Sequence, residues 1–255
     1  MNMTKTAIIT GASRGIGRAT ALELSKEGYQ VSLAARNKNQ LKELCDEINK
    51  QGGKAIYRAC DLSSYKEVEE FINFTKSKFN SIDAVVNNAG LIDPISRISD
   101  SDPEAWSKVI DLNLKTPYYM AKASLPTMLK QGGGTIINMS SGAARSALEG
   151  WSHYCTSKAA LHSLTRCIHK EYGELGIRVL GLSPGTVATD MMKSIKDSGI
   201  NPVSKINWET HLDPSSVAKA IAYLCTEESN DFLGEDFSLK TNEGRARVGL
   251  APIKA

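Results

Sequence analysis

Alternating strand and helix patterns predict a single doubly wound α/β domain built on a parallel sheet, and three observations carry that expectation. Six short apolar runs recur along the 255 residues, alternating with helical patterns almost throughout. The runs are almost continuously apolar, as strands are when helices cover both faces of a sheet. A glycine-rich segment, Thr10-Gly11-Ala12-Ser13-Arg14-Gly15-Ile16-Gly17, separates the first run from the first helix. Sheets of this class place phosphate-binding turns at that point.

The elements follow in order. Residues 6–10 form the first strand, and a helix runs from the glycine segment to about residue 27. The second strand is 30–35, and the amphipathic helix 38–51 ends at Gly52-Gly53, a stop signal. A third strand at 55–60 leads to a helix over 64–79, and the fourth strand is 82–87. Asp102-Pro103 supplies an N-cap and a proline in the first turn of a long helix reaching residue 129, with Pro117 expected to bend it. The fifth strand is 135–139, a helix covers 153–175, and the sixth strand is 177–182. Residues 190–213 carry Met191-Met192, Gly199, Pro202, Trp208 and His211 with weak periodicity. They read as an irregular segment, either a lid over a binding site or a plain surface loop. There is no repeat, linker or low-complexity tract, so residues 1–255 read as one domain with a substrate loop at about 190–213.

Composition narrows the function classes. Hydrophobic residues make up 41% and charged residues 23%, ordinary for a globular enzyme. A formal net charge of +3 is too small to argue for nucleic acid or a membrane surface as partner. No apolar run has the length of a membrane span, and the start Met1-Asn2-Met3-Thr4-Lys5 leaves no room for a leader before the first strand. Cys45, Cys60, Cys155, Cys167 and Cys225 show no paired spacing. They read as free thiols in a cytoplasmic protein, with no metal site. Cys155 is open to two readings, an accessible thiol or a small residue on a packed helix.

The glycine segment has the pattern TGxxxGxG rather than GxGxxG. Its glycines let the backbone approach a pyrophosphate, with the helix N-terminus supplying amide donors; the competing reading is that they only permit tight packing. The end of the second strand bears on cofactor choice. A carboxylate there would accept from a ribose 2′-hydroxyl and select NAD. This chain has Ala35 and then Arg36, with Arg14 in the glycine segment. Two guanidinium groups suit a 2′-phosphate, so the reading is NADP(H), against the alternative that either arginine is a solvated surface charge. Asp61 and Leu62, after the third strand, fall at the adenine edge of such a site. Asn87-Asn88-Ala89-Gly90 ends the fourth strand, where small residues let the chain pass close to a bound ribose.

Tyr154 and Lys158 stand four apart on a helix pattern and share one face. An ammonium near a phenol favours the phenolate, so the pair is expected to lower the tyrosine pKa and make it a general acid or base. Tyr118 and Lys122 have the same spacing, so spacing alone does not decide. Context does: thirteen positions before Tyr154 is Ser141, just past the C-terminal end of the fifth strand, whereas Ala105 holds that offset from Tyr118 inside a helix. Open α/β sheets bind ligands at the C-terminal ends of their strands. A serine hydroxyl there can stabilise charge developing on a substrate oxygen. Ser140 is the alternative, with its side chain expected on the opposite side.

Thr10–Gly17, Asn87–Gly90, Asn113 in Asp111-Leu112-Asn113, Ser141, Tyr154, Lys158 and Pro184-Gly185 occur in the order and spacing of the short-chain dehydrogenase/reductase superfamily, which the chain resembles from residue 6 to about 190. The resemblance implies a Rossmann-type fold and a role for each matching residue. Tyr154 would protonate a carbonyl oxygen that Ser141 orients. Lys158 would hold the nicotinamide ribose and tune Tyr154. Asn113 would anchor a water linking Lys158 to solvent. Pro184, Gly185, Val187 and Thr189 would line the nicotinamide site. It also implies a two-fold dimer through the long helix after Pro103 and the Tyr154 helix. Many members end in a last strand and a V-D-G-G motif at a tetramer interface. Here residues 232–239 stand for that strand and are followed by Lys240-Thr241-Asn242-Glu243-Gly244-Arg245, which argues against the tetramer.

The leading expectation is an NADPH-dependent reductase of small ketones, aldehydes or diketones. The alternatives are a 3-oxoacyl-carrier-protein reductase and, from another class, a non-catalytic NADP-binding regulator. The set Ser141, Tyr154 and Lys158 argues against a regulator, which needs no tuned acid. Leu91, Ile92, Ala143, Ala144, Leu148, Trp151, Met191 and Met192 are candidates for an apolar substrate pocket and equally for core or interface.

Overall fold

A computed structural model describes residues 4–253. The start at Met1–Met3, read above as leaving no room for a leader, and the last two positions of the tail lie outside the described residues. Seven strands form one parallel sheet in the order β3-β2-β1-β4-β5-β6-β7. They are β1 (Thr6–Thr10), β2 (Gln30–Ala35), β3 (Lys54–Ala59), β4 (Ala84–Asn87), β5 (Gly134–Met139), β6 (Ile177–Ser183) and β7 (Asp236–Ser238). The winding reverses between β1 and β4, where Ala7 pairs with Ala84 and Ile9 with Val86. A crevice opens at the C-terminal ends of strands on either side of such a reversal. This is the Rossmann-type architecture.

Successive strand residues face opposite layers, so Ile8 and Ile9 enter different cores. Ile9, Leu33, Ile137 and Leu180 pack under α1 (Gly15–Lys26), α2 (Lys38–Lys50) and α8 (Pro214–Leu224). Ile8, Val85, Ile136 and Val179 pack under α3 (Tyr65–Phe79), α5 (Thr116–Lys130) and α6 (Ser152–Tyr172). Helix starts follow side-chain chemistry. Asn37 caps α2 by accepting from Gln40 N, and Ser64 caps α3 by accepting from Glu67 N. Asp102 caps α4 (Pro103–Ile110) with Pro103 in the first turn.

Three expectations need correction. The long helix after Pro103 is two helices, α4 and α5, joined by a π-helical turn over Asp111–Lys115. The disruption lies before Pro117, because a proline without N–H is accommodated in the first turn of the helix that follows it. Residues 190–213 are not irregular. Asp190–Ser198 is a helix, α7, that buries Met192 and Ile195 and ends at Gly199 with φ of +62°. Two 3₁₀ turns follow it, Pro202–Lys205 and Trp208–Thr210. The apolar stripe of α7 is only two turns long, so its period is lost among the charged residues of its outer face. The last strand is Asp236–Ser238 rather than the whole of 232–239, and a short helix, α9 (Asn242–Arg247), follows it. Among the described residues, no helix is long and apolar enough to cross a membrane.

Candidate active site

A cleft of about 1710 Å³ runs along the C-terminal ends of the strands. Its cofactor-sized end is built from backbone. Gly11 has φ of +64°, and a Cβ there would stand 2.9 Å from Ala89 Cα. Gly15 has φ of +54°, and a Cβ there would stand 3.4 Å from Thr189 Cγ2. Side chains at these two positions would fill the cradle or strain its turn. No side chain caps the first turn of α1 at Arg14, which leaves amides free for an anion. The chemistry of this donor set fits a dinucleotide pyrophosphate.

Thr10 holds the cradle together. Its Oγ1 donates to Val86 O (3.2 Å) and accepts from Asn88 N (3.0 Å) and Ala89 N (3.1 Å). The Asn88 amide donates to Thr10 O (2.9 Å), so this side chain braces the loop. Gly17 is placed differently from the other motif glycines: it does not line the cleft. A Cβ at Gly17 would stand 2.3 Å from Gly11 O, so it lets α1 close on the turn. Ser13, Arg14, Ile16, Arg36, Asp61, Leu62, Ala89 and Gly90 all line the cleft. The Asp61 carboxyl is held below its usual range by Ser63, which donates through N and Oγ, and further by the charge of Arg36. Arg14 is engaged elsewhere: its Nη1 donates to Asp190 Oδ2 at 3.0 Å, on the first turn of α7.

Pro184, Gly185, Val187 and Thr189 also line the cleft. Val187 bridges Leu212, with Ala188 N donating to Leu212 O (2.9 Å) and Leu212 N to Thr186 O (3.0 Å). This pins the far end of the substrate segment to the loop after β6.

Tyr154 and Lys158 lie one turn apart on α6 and both are buried. Lys158 Nζ donates to Met139 O at 2.7 Å and stands 5.5 Å from the centroid of the Tyr154 ring. Ser141, just past β5, caps a 3₁₀ turn by accepting from Ala143 N at 3.2 Å. The expected lowering of the phenol pKa is not what this arrangement gives. Burial pushes Tyr154 up to about 12, with a hydrogen bond to Ser141 opposing the rise. Burial likewise brings Lys158 down to about 8, with the charge of Asp236 holding it up. Desolvation disfavours the charged form of each and is the largest cause of both shifts. At neutral pH the phenol therefore keeps its proton and the lysine keeps its charge.

Asn113 sits in the π turn with its side chain fully engaged. Its Oδ1 accepts from Leu91 N (2.8 Å), and its Nδ2 donates to Leu91 O (2.8 Å) and Ser157 Oγ (3.1 Å). Pro117 lacks the N–H that an i→i+4 bond to the Asn113 carbonyl would use.

Asp236 is a buried participant that the sequence reading missed. Its Oδ2 accepts from Ser140 Oγ at 2.8 Å, and its Oδ1 stands 3.5 Å from His162 Nδ1. His162 is one turn beyond Lys158 on α6, and its Nε2 faces Glu235 at 3.8 Å. A Cβ at Gly181 would lie 1.8 Å from Asp236 Oδ1, so glycine on β6 makes room for the carboxylate. The available signal was the acidic pair Glu235-Asp236 inside the segment read as the last strand.

The wall beyond Tyr154 is apolar. Leu91, Ile92, Ala143, Leu148, Trp151, Met191 and Met192 line the cleft as expected of a pocket, whereas Ala144 does not. Trp151 stands edge-on to Tyr154 with centroids 5.6 Å apart. Ile195, Val203, Ile206 and Trp208, all from the segment read as irregular, complete this wall. Cys155 packs partly buried against the same cluster, while Cys45, Cys60 and Cys225 are buried and Cys167 is exposed. Among the described residues, no three His, Cys, Asp or Glu side chains group as a metal site.

Comparison with known proteins agrees with this geometry. The short chain dehydrogenase family profile matches residues 5–199. An uncharacterized oxidoreductase of Staphylococcus aureus is 34% identical over 226 residues, covering 89% of this chain and 93% of that protein. One from Staphylococcus saprophyticus is 36% identical over 229 residues, with coverage of 89% and 93%. The crystal structure of a single-substitution variant of actinorhodin polyketide ketoreductase with NADPH superposes with a TM-score of 0.85 at 27% identity, covering 92% of this chain and 95% of that one. The chain belongs to the short-chain dehydrogenase family of oxidoreductases.

Proposed function

We propose that the chain is an NADPH-dependent reductase acting on the carbonyl of a small ketone, aldehyde or diketone, and reversibly on the corresponding alcohol. The observation that carries this reading is a buried Tyr154, its phenol pushed up to about 12 by burial, that shares one cleft with Ser141, Lys158 and the glycine cradle. The bound cofactor supplies the hydride. Tyr154 gives its proton to the carbonyl oxygen, which Ser141 orients and polarises. Lys158 keeps a positive charge beside the phenol and has the reach to hold a ribose hydroxyl. The protonated phenol is the form that donates to a carbonyl oxygen, and the phenolate serves the reverse reaction. Proton resupply runs past the Asn113 main-chain carbonyl, since its side chain is committed to Leu91 and Ser157.

NADP preference rests on Arg36, which lines the cleft just beyond β2 and has no ion-pair partner within 4 Å among the described residues. Arg14 joins it by leaving Asp190. That exchange costs little, because exposed ion pairs contribute about 0–1 kcal/mol. The protein acts in the cytoplasm as a homodimer through α4, α5 and α6, without the further step to a tetramer; light scattering at micromolar concentration checks the assembly. Oxidation of NADPH and of NADH is followed with a panel of ketones, aldehydes and diketones. NADPH oxidation with one carbonyl class is expected. No oxidation with any of them, or a preference for NADH under identical conditions, overturns the corresponding half of the reading.

A further inference from the structure

Lys240 and Arg245 on the cleft wall lack counter-ions among the described residues, as Arg36 does beyond β2. Lys240 follows β7, at the sheet edge where ligands bind. A Cβ at Gly142 would meet Lys240 Nζ at 3.4 Å, and one at Gly185 would meet Lys240 Cγ at 3.2 Å. Lys240 is therefore laid between the residue after Ser141 and the loop after β6. Both of those glycines line the cleft, as does Arg245 on α9. Arg245 Nε is buried with no hydrogen-bond partner among the described residues. Its neighbour on the same helix shows the contrast. Arg247 faces Asp231 at 3.4 Å and Glu243 at 3.9 Å, and lies 5.9 Å from the centre of the Phe232 ring.

The carboxylates of the cleft are already engaged elsewhere. Asp190 holds Arg14 and Lys193, Asp111 holds Lys115, and Asp61 accepts from Ser63. Arg245 lines the cleft with its Nε lacking an acceptor, and a guanidinium so placed suits an acidic ligand. Tyr154 and Ser141 occupy the carbonyl end, and the glycine cradle lies at the other end of the cleft.

Resting on the reductase reading above, we propose that the substrate carries an anionic group, a carboxylate or a phosphate ester, which Lys240 and Arg245 bind while its carbonyl meets Tyr154 and Ser141. The segment after the last strand, which departs from the V-D-G-G pattern, is then a specificity element.

Matched substrates test this. Oxo carboxylates with the carbonyl at position 2, 3 or 4 are compared with their methyl esters, and dihydroxyacetone phosphate with dihydroxyacetone. At least one acid, or the phosphate, is expected to exceed its uncharged partner in kcat/KM by tenfold or more, and which does so identifies the anion. Lys240→Met and Arg245→Met each lower that preference about tenfold or more, mostly through KM, as expected for losing a charge-assisted hydrogen bond. Lys240→Arg retains most of it. Equal use of charged and uncharged partners overturns the proposal, as does equal loss for both in the variants or a matching rise in the NADPH dissociation constant. Calorimetric titration of the same compounds into the protein saturated with NADP⁺ reads the anion site without turnover. Binding of the anion that the variants abolish supports the proposal even where hydride transfer fails. Absent or charge-independent binding overturns it.

Discussion

Two tyrosine–lysine pairs of identical spacing lie on two helices of this domain, and they differ in depth. Tyr118 on α5 is 48% exposed and Lys122 is exposed, whereas Tyr154 on α6 is 9% exposed and Lys158 is buried. The first pair is surrounded by solvent and by Tyr119, 5.7 Å away. The second has Ser141 against the phenol, the Met139 carbonyl on the ammonium, and Asp236 behind. Spacing four apart only puts two side chains on one face. Chemistry needs removal from water, which moves both pKa values, and a third group at the sheet edge that holds the reacting oxygen.

The largest expected effect breaks the comparison at its centre. Tyr154→Phe removes one hydroxyl and should lower single-turnover reduction by about a hundred- to ten-thousandfold, while NADPH binding by fluorescence survives. Tyr118→Phe should stay within a few-fold of the unaltered protein. Comparable losses in the two variants would mean that depth does not separate the pairs. Lys158→Met should damage turnover and cofactor affinity together, because the lysine serves both.

A smaller effect concerns the far end of the cleft. Arg36→Asp should reduce kcat/KM with NADPH by about ten- to more than a hundredfold and raise it with NADH, through loss of a charge-assisted bond and gain of an acceptor for a 2′-hydroxyl. Unchanged cofactor preference would leave Arg36 as a surface charge like Lys122.

The smallest effect sharpens what surrounds the buried pair. Lys158, brought down to about 8 by burial, loses its charge as pH rises past that value, so reduction should decline on the alkaline side. Asp236 is the nearby negative charge that opposes this. Asp236→Asn should move the alkaline limb to lower pH, with a few-fold loss at pH 7. Ser140, His162 and Glu235 surround Asp236, and Arg145 and Arg166 face Glu235, so His162→Gln is the control for titration within the group. A pH profile unmoved by Asp236→Asn, with protein that remains folded by circular dichroism, would remove Asp236 from the mechanism.

Much of this molecule was legible along the chain. The strand runs, the glycine turn at Gly11 and Gly15, the cap at Asp102, and the shared face of Tyr154 and Lys158 are local features. Each depends on residues a few positions apart, whose mutual geometry follows from backbone dihedrals and helical or pleated periods. Even the choice between the two tyrosine pairs was local at heart, since Ser141 is identified by the strand it follows. What misled was also local. The two-turn apolar stripe of α7 was too short to read against its charged neighbours, and Pro117 marked the start of α5 rather than a bend within a longer helix.

Only the tertiary structure decided the contacts between distant segments. Arg14 meets Asp190, Ser140 meets Asp236, and the Asn113 amide closes on Leu91 and Ser157. Lys240 comes to lie between Gly142 and Gly185. The sequence by itself determined the first six strands of the parallel sheet and the glycine turn after β1. Such pairs depend on strand order, on register and on how deeply each helix packs, quantities set by the whole core at once. The same holds for the pKa values: a lysine four residues from a tyrosine is a fact of the chain, while the burial that moves both groups comes from the fold.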